Sequence, residues 1–569
     1  MNNFFIEIFD KKSQLDIEKN KKLEVFIGEN ICVLFDHKHF EFLNPKSSQN
    51  FAVLSSISSN DKNRLLTKYD ESPQSSSSQI LLNLFLKHGK NIFKDFKDKF
   101  FLFIYDTRNK NFYVIRDHVG FYNIYFTENN SSIYLSSRIK HITQFLNFDF
   151  KVSRNNLKKF LELKPIRDNE TFYEHIFKTP PSSILKNVNK NLVIESYKKF
   201  KKISLNKSSN EQIQQLKQRL KDSIIKDSNL SDKQIGFLFS GGLDSSTIIS
   251  FYRMFNNGVQ SLYAYTSTYD YINPKIKYLI DERDYQKEII KHKEVKDRSF
   301  DSKKLSTLSD LDWYLKIIGQ PFFFPNLYVA KHSFELASYD GVKKIYNGND
   351  GDTVISHGYE YLLELFLSLR WIKLYKSISK VAKIRNKSKF FVFKKTILKQ
   401  ISFNRKIFFS AKKKHEFILN QSIHSNAIEV QSLIAAEYGI EEFYPFYNID
   451  LMSFCINVRP DLKLNGISRY ILRKAIKGVV PDKIRKRTNK SNLGHALVET
   501  FVHKDREIIE NYMNNPASLI NQIHDNKYLK KQWKKLQKDP RKFSTGSNVP
   551  SLIFSYVVAN RWLELNKAK

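Results

Sequence analysis

A glycine- and serine-rich turn, SGGLDSS at residues 240–246, places the tightest limit on how this chain can fold. It directly follows QIGFLF (234–239), an apolar stretch with the length and composition of a buried strand. It directly precedes a helical pattern over 244–255. A buried strand that passes through such a turn into a helix is the first half of a βαβ unit. The sequence therefore predicts an α/β fold with a parallel sheet.

The same turn contains the groups that hold a phosphate. Its two glycines let the backbone come close to phosphate oxygens, and the N–H groups and dipole at the helix start attract an anion. Asp244 supplies a hard oxygen ligand for magnesium. The P-loop signature GxxxxGK[ST] is absent, so we predict a different phosphate loop, with a simple capped turn as the alternative. The predicted phosphate-binding residues are Ser240, Gly241, Gly242, Leu243, Asp244, Ser245 and Ser246.

Two patterns divide the chain near residue 205. Before it, stretches rich in Tyr, Phe, Val and Ile, such as 131–137, alternate with Asn-rich turns and predict antiparallel strands. After it, a helix over 211–226, with Ser209 as its predicted N-cap, opens an alternation of helices and strands. A chain of 569 residues is too long for one hydrophobic core. We predict two domains, at 1–205 and 206–569.

The number of cysteines and the first residues of the chain indicate the cellular compartment of the protein. Cys32 and Cys455 are too few for a disulfide framework or a cysteine-based zinc site, which favours a reducing compartment. Residues 1–16 carry acids where a signal peptide needs a basic start, and no run of about 18 uncharged apolar residues occurs. We therefore expect a cytoplasmic protein without a membrane span.

The net charge of +36 has two interpretations. A nucleic-acid or anionic-membrane partner would explain it. An AT-rich coding sequence would also explain it, because Lys, Asn, Ile and Phe are abundant while Gly (17) and Pro (14) are scarce. Lys greatly outnumbers Arg, the residue that contacts phosphate bidentately. We therefore favour the compositional explanation over a nucleic-acid partner.

Four further stretches follow the phosphate loop in a recognisable order. They are DERDYQKEI (281–289), NGNDGDTVISHGY (347–359), FYPFYN (443–448) and GISRYILRKAIKGVVPDKIRKRTNK (466–490). The turn at 240–246 resembles the pyrophosphate loop of the N-type ATP pyrophosphatases. With the four stretches, the chain resembles the asparagine synthetases. This resemblance implies a PP-loop synthetase domain that uses ATP and Mg²⁺.

The resemblance also implies roles for residues outside the first loop. Gly348 and Asp352 would belong to a second glycine-rich loop, in which Asp352 contacts a second magnesium or the pyrophosphate. Asp244 and Asp352 are thus the implied metal ligands, although Asp352 by itself also fits a helix cap. Lys490 would lie on a lid as a cation that faces the acyl-adenylate, and Ser267 would lie against the adenine.

The first half of the chain resembles a class II glutamine amidotransferase domain, which precedes the synthetase domain in this family. FKDKFFLFIYDTRNKNFYVIRDHVGFYNIYF (96–126) resembles its core and implies an α+β sandwich of the Ntn-hydrolase type. Glutaminases of this fold use a cysteine that becomes residue 1 after the initiator Met is removed, whereas this chain has Asn2. Cys32 lies in an apolar run and is predicted to be a buried filler. We expect no glutaminase activity.

Two departures in the second loop bear on the substrate. Asn349 and Thr353 stand where asparagine synthetases usually have glutamates, which weakens the case for free aspartate and ammonia. Relatives without the cysteine, such as β-lactam synthetases and lasso-peptide macrolactam synthetases, join a carboxylate to an amine already present in the substrate. We predict an AMP-forming amide ligase that acts on a small-molecule or peptide carboxylate and an amine. The alternatives are an ammonia-dependent asparagine synthetase, a PP-loop RNA-modifying enzyme and a non-catalytic binding protein.

The segment Trp371–His415 contains 15 Lys and Arg and no acid. Phenylalanines are interleaved with these charges: Phe390, Phe391, Phe393, Phe403, Phe408 and Phe409. Basic amphipathic helices that lie on an anionic surface have this composition. A helical insert that packs its aromatic side chains on the synthetase domain and solvates its lysines also has it. The first interpretation predicts a docking surface for an acidic partner or a membrane.

Overall fold

The computed structural model describes most of the chain. The described residues are 3–9, 23–48, 50–129, 131–146, 150–188, 191–197, 199–201, 203–205, 208–225, 234–255, 261–272, 277, 279–403, 407–489, 491–515, 518–523 and 525–567. The predictions for Asn2 and Lys490 therefore concern positions outside the described residues.

Two antiparallel six-stranded sheets form the N-terminal part of the described chain. Their strands are β1 (Phe4–Ile8), β2 (Glu24–Ile27), β3 (Ile31–Phe35), β4 (Glu41–Leu43), β5 (Phe51–Ile57), β6 (Phe100–Asp106), β7 (Asn111–Arg116), β8 (Tyr125–Asn129), β9 (Ser132–Ser136), β10 (Phe177–Lys178), β11 (Ser183–Val188) and β12 (Asn191–Ser196). One sheet has the order β10-β8-β9-β1-β3-β2, the other β12-β11-β7-β6-β5-β4. The strand predicted at 131–137 is confirmed as β9.

Burial on both faces explains the unbroken apolar sequence of β1. Phe4 and Ile6 join the core between the two sheets, whereas Phe5 joins a core on the opposite face. Successive side chains of a strand point to opposite faces, so both faces of this strand must be covered. Helices Ser59–Tyr69 and Ser77–His88 cover the outer face of the other sheet. The observed architecture is the expected α+β sandwich.

The C-terminal part holds a five-stranded parallel sheet in the described residues. Its strands are β13 (Gln234–Leu238), β14 (Ser261–Thr268), β15 (Val295–Asp301), β16 (Lys344–Asn347) and β17 (Glu441–Phe443). The order is β15-β14-β13-β16-β17, and every pairing is parallel. Strands β14 and β15 lie on one side of β13, and the later strands β16 and β17 lie on its other side, so the strand order reverses at β13. Ligands of open α/β sheets bind at such a switch point, outside the carboxyl ends of the strands.

Helices surround this sheet and form most of the chain after residue 360. The remaining α-helices of the described chain are Ile139–Phe145, Arg154–Leu161, Ser209–Ile225, Leu243–Phe255, Arg283–Ile290, Leu311–Ile318, Leu327–Tyr339, Gly351–Ile355, Glu360–Leu367, Trp371–Arg385, Lys389–Phe393, Lys399–Phe403, Ala411–Leu419, Ser422–Glu437, Ile449–Asn457, Pro460–Lys463, Tyr470–Ala475, Asp482–Lys486, Gly494–His503, Arg506–Asn514, Lys527–Lys538 and Val549–Lys567. A short hairpin pairs β18 (Leu464–Asn465) with β19 (Ile467–Ser468). No helix in the described ranges combines the length and apolarity needed to cross a membrane.

The two parts of the chain pack against each other through apolar and charged contacts. One hydrophobic cluster joins Phe5 of the sandwich to Trp562 of the C-terminal helix. Buried Tyr125 donates a hydrogen bond to Glu429, and Lys178 Nζ lies 3.5 Å from Glu429 Oε2. These contacts set the sandwich against the helices that flank the parallel sheet. The predicted domain limits, 1–205 and 206–569, stay a prediction.

Candidate active site

A cavity of about 460 Å³ opens at the carboxyl ends of β13, β14 and β16. It lies at the switch point of the parallel sheet, where nucleotide ligands bind in this class of fold. The predicted site residues that line it are Ser240, Gly242, Leu243, Asp244, Ser245, Ser267, Gly348 and Asp352. The structure thus brings both predicted loops and the end of the second strand to one cavity.

The remaining predicted residues do not line this cavity in the described chain. Gly241 has φ +79°, and a Cβ there would lie 2.9 Å from Gln286, so this position needs glycine for the turn itself. Ser246 is fully buried in the helix after the turn. Lys490 lies outside the described residues, but its neighbours Asn489 and Ser491 line the cavity.

The first loop is shaped by its own serines. The Ser240 N–H donates to Ser245 Oγ (3.3 Å), and the Gly242 N–H donates to Ser240 Oγ (3.2 Å). The two hydroxyl oxygens lie 3.2 Å apart. These contacts hold the turn closed at the start of helix Leu243–Phe255, so its backbone is organised before any ligand is bound.

Two glycines of the second loop allow it to lie directly on the first. A Cβ on Gly348 would be 3.0 Å from the Ser245 backbone nitrogen. A Cβ on Gly351 would be 2.8 Å both from the Asp244 carboxylate and from the Phe446 ring. Because a larger residue would separate the loops, these glycines bring Asp352 to the same cavity as Asp244.

Asp350 is a second-loop residue that the sequence analysis did not identify. It has φ +57°, and its carboxylate accepts hydrogen bonds from Tyr447 and from His424 Nδ1, the latter at 2.8 Å. Burial raises the pKa of Asp350, but these hydrogen bonds outweigh burial and place the pKa below its ordinary value. The second ring nitrogen of His424 lies 3.0 Å from the Ile418 carbonyl oxygen. The cluster holds the second loop in its left-handed turn.

Two arginine–carboxylate pairs border the cavity, and the arginine side chain of each is buried. Arg469 Nη1 lies 2.6 and 2.7 Å from the two carboxylate oxygens of Asp244. Arg487 Nη2 donates to Glu282 Oε1 at 2.8 Å, and its guanidinium stacks 3.9 Å from the centre of the Tyr285 ring. Arg487 joins the 466–490 stretch to the start of the helix after the second strand, and Lys483 Nζ, 3.4 Å from Glu288 Oε1, also contacts this helix.

Three arginines, Arg469, Arg473 and Arg487, line the cavity. Burial and the neighbouring Arg469 lower the pKa of Arg473 to about 10, so it is still protonated at neutral pH. Arg469 Nε is buried and has no hydrogen-bond partner among the described residues. An unpaired buried N–H is costly, and a charged acceptor such as a phosphate oxygen would satisfy it.

A polar network lies behind the second loop. Gln431 Oε1 accepts hydrogen bonds from Asn349 Nδ2 (2.7 Å) and Asn347 Nδ2 (3.2 Å). Asn347 Nδ2 also donates to Glu442 Oε1 (3.0 Å), and Tyr444 donates to Glu442 Oε2 (2.8 Å). Burial raises the pKa of Glu442 to about 7, despite these hydrogen bonds. Glu442 is therefore a buried carboxyl that titrates near neutral pH.

The pH dependence of the free energy of unfolding tests whether the pKa of Glu442 is raised. The folded-state pKa of Glu442 lies above its ordinary value of 4.5, so its stabilising effect is complete below about pH 4.5 and is lost as pH rises through about 7. Glu442→Gln cannot ionise. We therefore expect the melting temperature of this variant, minus that of the wild type, to be larger at about pH 8.5 than at about pH 5.5. Differential scanning fluorimetry measures this. An equal difference at both pH values would contradict the raised pKa.

Two protein-family models match this chain, one in each of the two parts described above. The asparagine synthase family model matches residues 215–564, and the glutamine amidotransferase domain model matches residues 61–198. The first match covers more than half of the chain. The chain belongs to the asparagine synthase family.

Two asparagine synthetases match this chain at low identity, over about a third and about half of their own length. Asparagine synthetase [glutamine-hydrolyzing] 1 of Bacillus subtilis (strain 168) is 22% identical over 192 residues, 33% of this chain and 29% of that protein. The putative asparagine synthetase [glutamine-hydrolyzing] 2 of Methanocaldococcus jannaschii is 23% identical over 295 residues, 50% of this chain and 54% of that protein. Among solved structures, the glutamine PRPP amidotransferase of B. subtilis, complexed with ADP and GMP, aligns over 46% of this chain and 59% of its own, with 11% identity and a TM-score of 0.23.

Membership of the asparagine synthase family implies the use of ATP, usually with magnesium, and the donors of this cavity fit that combination. Asp244 and Asp352 line the same cavity, and carboxylate oxygens are the hard ligands that magnesium takes. Among the described residues, no group of three or more His, Cys, Asp or Glu could hold a metal ion by itself. Magnesium usually takes one or two protein carboxylates and completes its shell with water and substrate phosphates. Two carboxylates suit an ion that arrives with the nucleotide.

Proposed function

We propose that this member of the asparagine synthase family is an ATP-dependent ligase that forms an amide bond through an acyl-adenylate. The contact between the two glycine-rich loops carries the proposal, because it brings Asp244 and Asp352 to one cavity beside the buried Arg469. A site for an ordinary anion needs no pair of carboxylates. A site for the magnesium complex of a triphosphate needs carboxylates for the metal and cations for the phosphates.

The first step would transfer the adenylyl group. The substrate carboxylate oxygen attacks the α-phosphorus of ATP, the bond to the β-phosphate oxygen breaks, and pyrophosphate leaves. The N–H groups of the first loop and the guanidinium of Arg469 would hold the departing pyrophosphate. Magnesium, held by Asp244 and Asp352, would neutralise phosphate charge in this step.

The second step would transfer the acyl group to an amine. The amine nitrogen attacks the carbonyl carbon of the acyl-adenylate and gives up a proton, and AMP leaves with the electrons of the broken C–O bond. Asn349 and Gln431 form a neutral amide pair on this side of the cavity. An uncharged wall suits an amine that must enter unprotonated, because it does not favour an ammonium ion. By resemblance to the relatives that lack the nucleophilic cysteine, we propose that the amine belongs to the same small molecule or peptide as the carboxylate.

Neither cysteine of this chain is placed to act as a glutaminase nucleophile. Cys32 and Cys455 are both buried, which confirms the prediction that Cys32 fills a core. Burial, with the charge of Glu7 as a smaller cause, raises the pKa of Cys32 to about 12, and burial raises the pKa of Cys455 to about 12. A thiol that does not ionise is a poor nucleophile.

We expect no glutamine hydrolysis by the purified chain. The sandwich would then act as a scaffold for the synthetase part, to which it is fastened by Glu429 and a shared core. Glutamate release from glutamine, measured with glutamate dehydrogenase, should equal that of an empty-vector preparation. Release above that level would contradict the proposal, and Cys32→Ser would show whether this thiol is responsible.

The products identify the amine. Purified protein is offered ATP, magnesium and the enzyme-free small-molecule and peptide fraction of a cell extract, and the products are analysed by mass spectrometry. An internal amide appears as a product lighter than its substrate by one water, formed only when ATP is present. Asparagine formed from aspartate and ammonium would instead favour the ammonia-dependent alternative.

A further inference from the structure

An exposed surface that is both basic and apolar lies on the helical insert and has no part in the proposed reaction. We call it the basic aromatic patch and define it by Trp371, Ile372, Tyr375, Lys389 and Phe390. Its four large hydrophobic side chains are 51%, 75%, 59% and 70% exposed, respectively. Of 20 exposed large hydrophobic side chains in the described residues, 12 lie between positions 369 and 423. Such a concentration marks an interaction surface, whereas scattered exposed residues would not.

A direct contact joins the two helices that carry the patch. Trp371, Ile372 and Tyr375 lie within one turn of the helix Trp371–Arg385. Lys389, from the next helix, donates to the Tyr375 hydroxyl at 2.6 Å and lies 4.4 Å from the centre of its ring. Phe390 follows Lys389 in the chain. The contact between Lys389 and Tyr375 therefore brings together the two helices on which the five exposed side chains lie.

The opposite face of the same helix is already occupied. Leu374, Ile378 and Val381 are buried in a core with residues of the helix Glu360–Leu367. Lys380 Nζ donates to Asn465 Oδ1 at 3.0 Å, which fastens the helix to the hairpin β18–β19. Packing within the chain therefore accounts for one face of the insert and leaves the patch uncovered.

The exposure of individual phenylalanines distinguishes a docking surface from an insert that packs its aromatic side chains on the synthetase domain. Phe390, Phe391 and Phe409 are exposed, whereas Phe393 and Phe408 are partly buried. The side chain of Phe403 lies outside the described residues. An insert that packs its aromatic side chains inward therefore accounts for two of the described phenylalanines and not for the other three.

The charges of the segment that carries the patch have one sign. Lys373, Lys376 and Lys389 are exposed, and the segment Trp371–His415 contains no acid. In the part of the chain that the structure describes, none of these three lysines forms an ion pair with a carboxylate. Their charges are thus available to an anionic surface.

We infer that the basic aromatic patch docks on the surface of an anionic phospholipid membrane. Lysines would contact the headgroups while Trp371, Ile372 and Phe390 enter the boundary between headgroups and acyl chains. An acidic protein would satisfy the lysines but would need a groove matched to these protruding tips. A bilayer interface accommodates protruding apolar tips without a matched shape, so the combination of charges and tips favours lipid.

Vesicle sedimentation of the full chain tests the docking. We expect binding to vesicles of phosphatidylcholine with about one third phosphatidylglycerol and none to pure phosphatidylcholine. Binding should weaken between about 0.05 M and about 0.5 M sodium chloride, because exposed charges are screened. Equal binding to both kinds of vesicle, or no binding to the anionic vesicles at low salt, would overturn the inference. Retention on an acidic protein column without vesicle binding would likewise overturn it.

Charge reversal at two matched sets of lysines tests whether the vesicles bind at the basic aromatic patch. The triple variant Lys373→Glu, Lys376→Glu, Lys389→Glu should bind anionic vesicles about a hundredfold more weakly. The control triple Lys531→Glu, Lys534→Glu, Lys535→Glu makes the same change in net charge on exposed positions of the helix Lys527–Lys538 and should lose less than about threefold. Equal losses in the two triples would show that overall charge, and not the patch, holds the vesicle.

Trp371 reports insertion directly. Lipids brominated on their acyl chains should quench tryptophan fluorescence of the wild type, and this quenching should be lost in Trp371→Phe, which keeps an aromatic side chain. Both proteins should sediment with anionic vesicles. Quenching that persists unchanged in Trp371→Phe, or no quenching in the wild type, would overturn insertion at the patch.

Discussion

Replacing Asp244 with asparagine is expected to slow ATP cleavage by about two to three decades. The carboxylate lies in contact with the second loop, and Asp244 lines the cavity where the magnesium complex of ATP would bind. Asparagine has nearly the same size and should not separate the loops. The measurement is the rate of AMP formation with the protein's substrate fraction, beside a thermal unfolding curve.

A double variant separates lost chemistry from lost stability. Asp244→Asn leaves the buried Arg469 without its carboxylate partner, which destabilises a protein. Adding Arg469→Gln removes the unpaired charge, so the double variant should regain melting temperature but not activity. Asp525→Asn, on an exposed carboxylate, is the matched control and should behave as the wild type. Normal turnover of Asp244→Asn would contradict the assignment of the first loop.

Lys490→Ala is expected to lose about two or more decades of turnover while ATP affinity changes little. A cation near the charge that develops on phosphorus and carbonyl stabilises the transition state more than the bound ATP. Asn489 and Ser491, on either side of Lys490 in the sequence, line the cavity. The measurement is kcat and the KM for ATP, determined separately.

Neighbouring cations serve as comparisons for Lys490. Lys486 is exposed and forms a surface ion pair with Asp482 (2.7 Å), so Lys486→Ala should leave turnover within about twofold. Near-normal turnover of Lys490→Ala would move the lid assignment to another cation of the stretch, and Arg487, paired with Glu282, would be tested next.

The first loop and the alternation of strands and helices could be predicted because their signals are local. A strand, a glycine turn and a helix start are consecutive in the sequence, and the helices and strands around them lie within one or two residues of the predicted limits. Detail at helix ends was less certain. The N-cap of the helix Ser209–Ile225 is Ser208, whose Oγ accepts from the Glu211 N–H at 3.4 Å, and the prediction of Ser209 is wrong by one residue.

The partners of the two loops could not be predicted, because they come from distant parts of the sequence. His424 lies 74 positions after Asp350, on a helix that follows the basic segment, and nothing local to it indicates the contact. Arg469 lies 225 positions after Asp244. Its φ of +55°, which is unusual for a residue with a side chain, results from the hairpin before it and leaves no trace in composition.

The burial of individual aromatic side chains in the basic segment also could not be predicted from the sequence. Phe390 and Phe393 are separated by less than one helical turn and have the same kind of neighbours, yet Phe390 is 70% exposed while Phe393 packs against Phe366 at 5.8 Å. Which of them is covered depends on where the helix Glu360–Leu367 lies, a tertiary contact that local patterns do not specify.

The products of ATP cleavage test the central claim most directly. Purified protein is incubated with ATP, magnesium and the enzyme-free substrate fraction, and phosphorus NMR records the nucleotide and phosphate products. Attack on the α-phosphorus predicts AMP and pyrophosphate in equal amounts, formed by the wild type and not by Asp244→Asn. ADP and inorganic phosphate as the products, formed by the wild type and lost in Asp244→Asn, would contradict an acyl-adenylate.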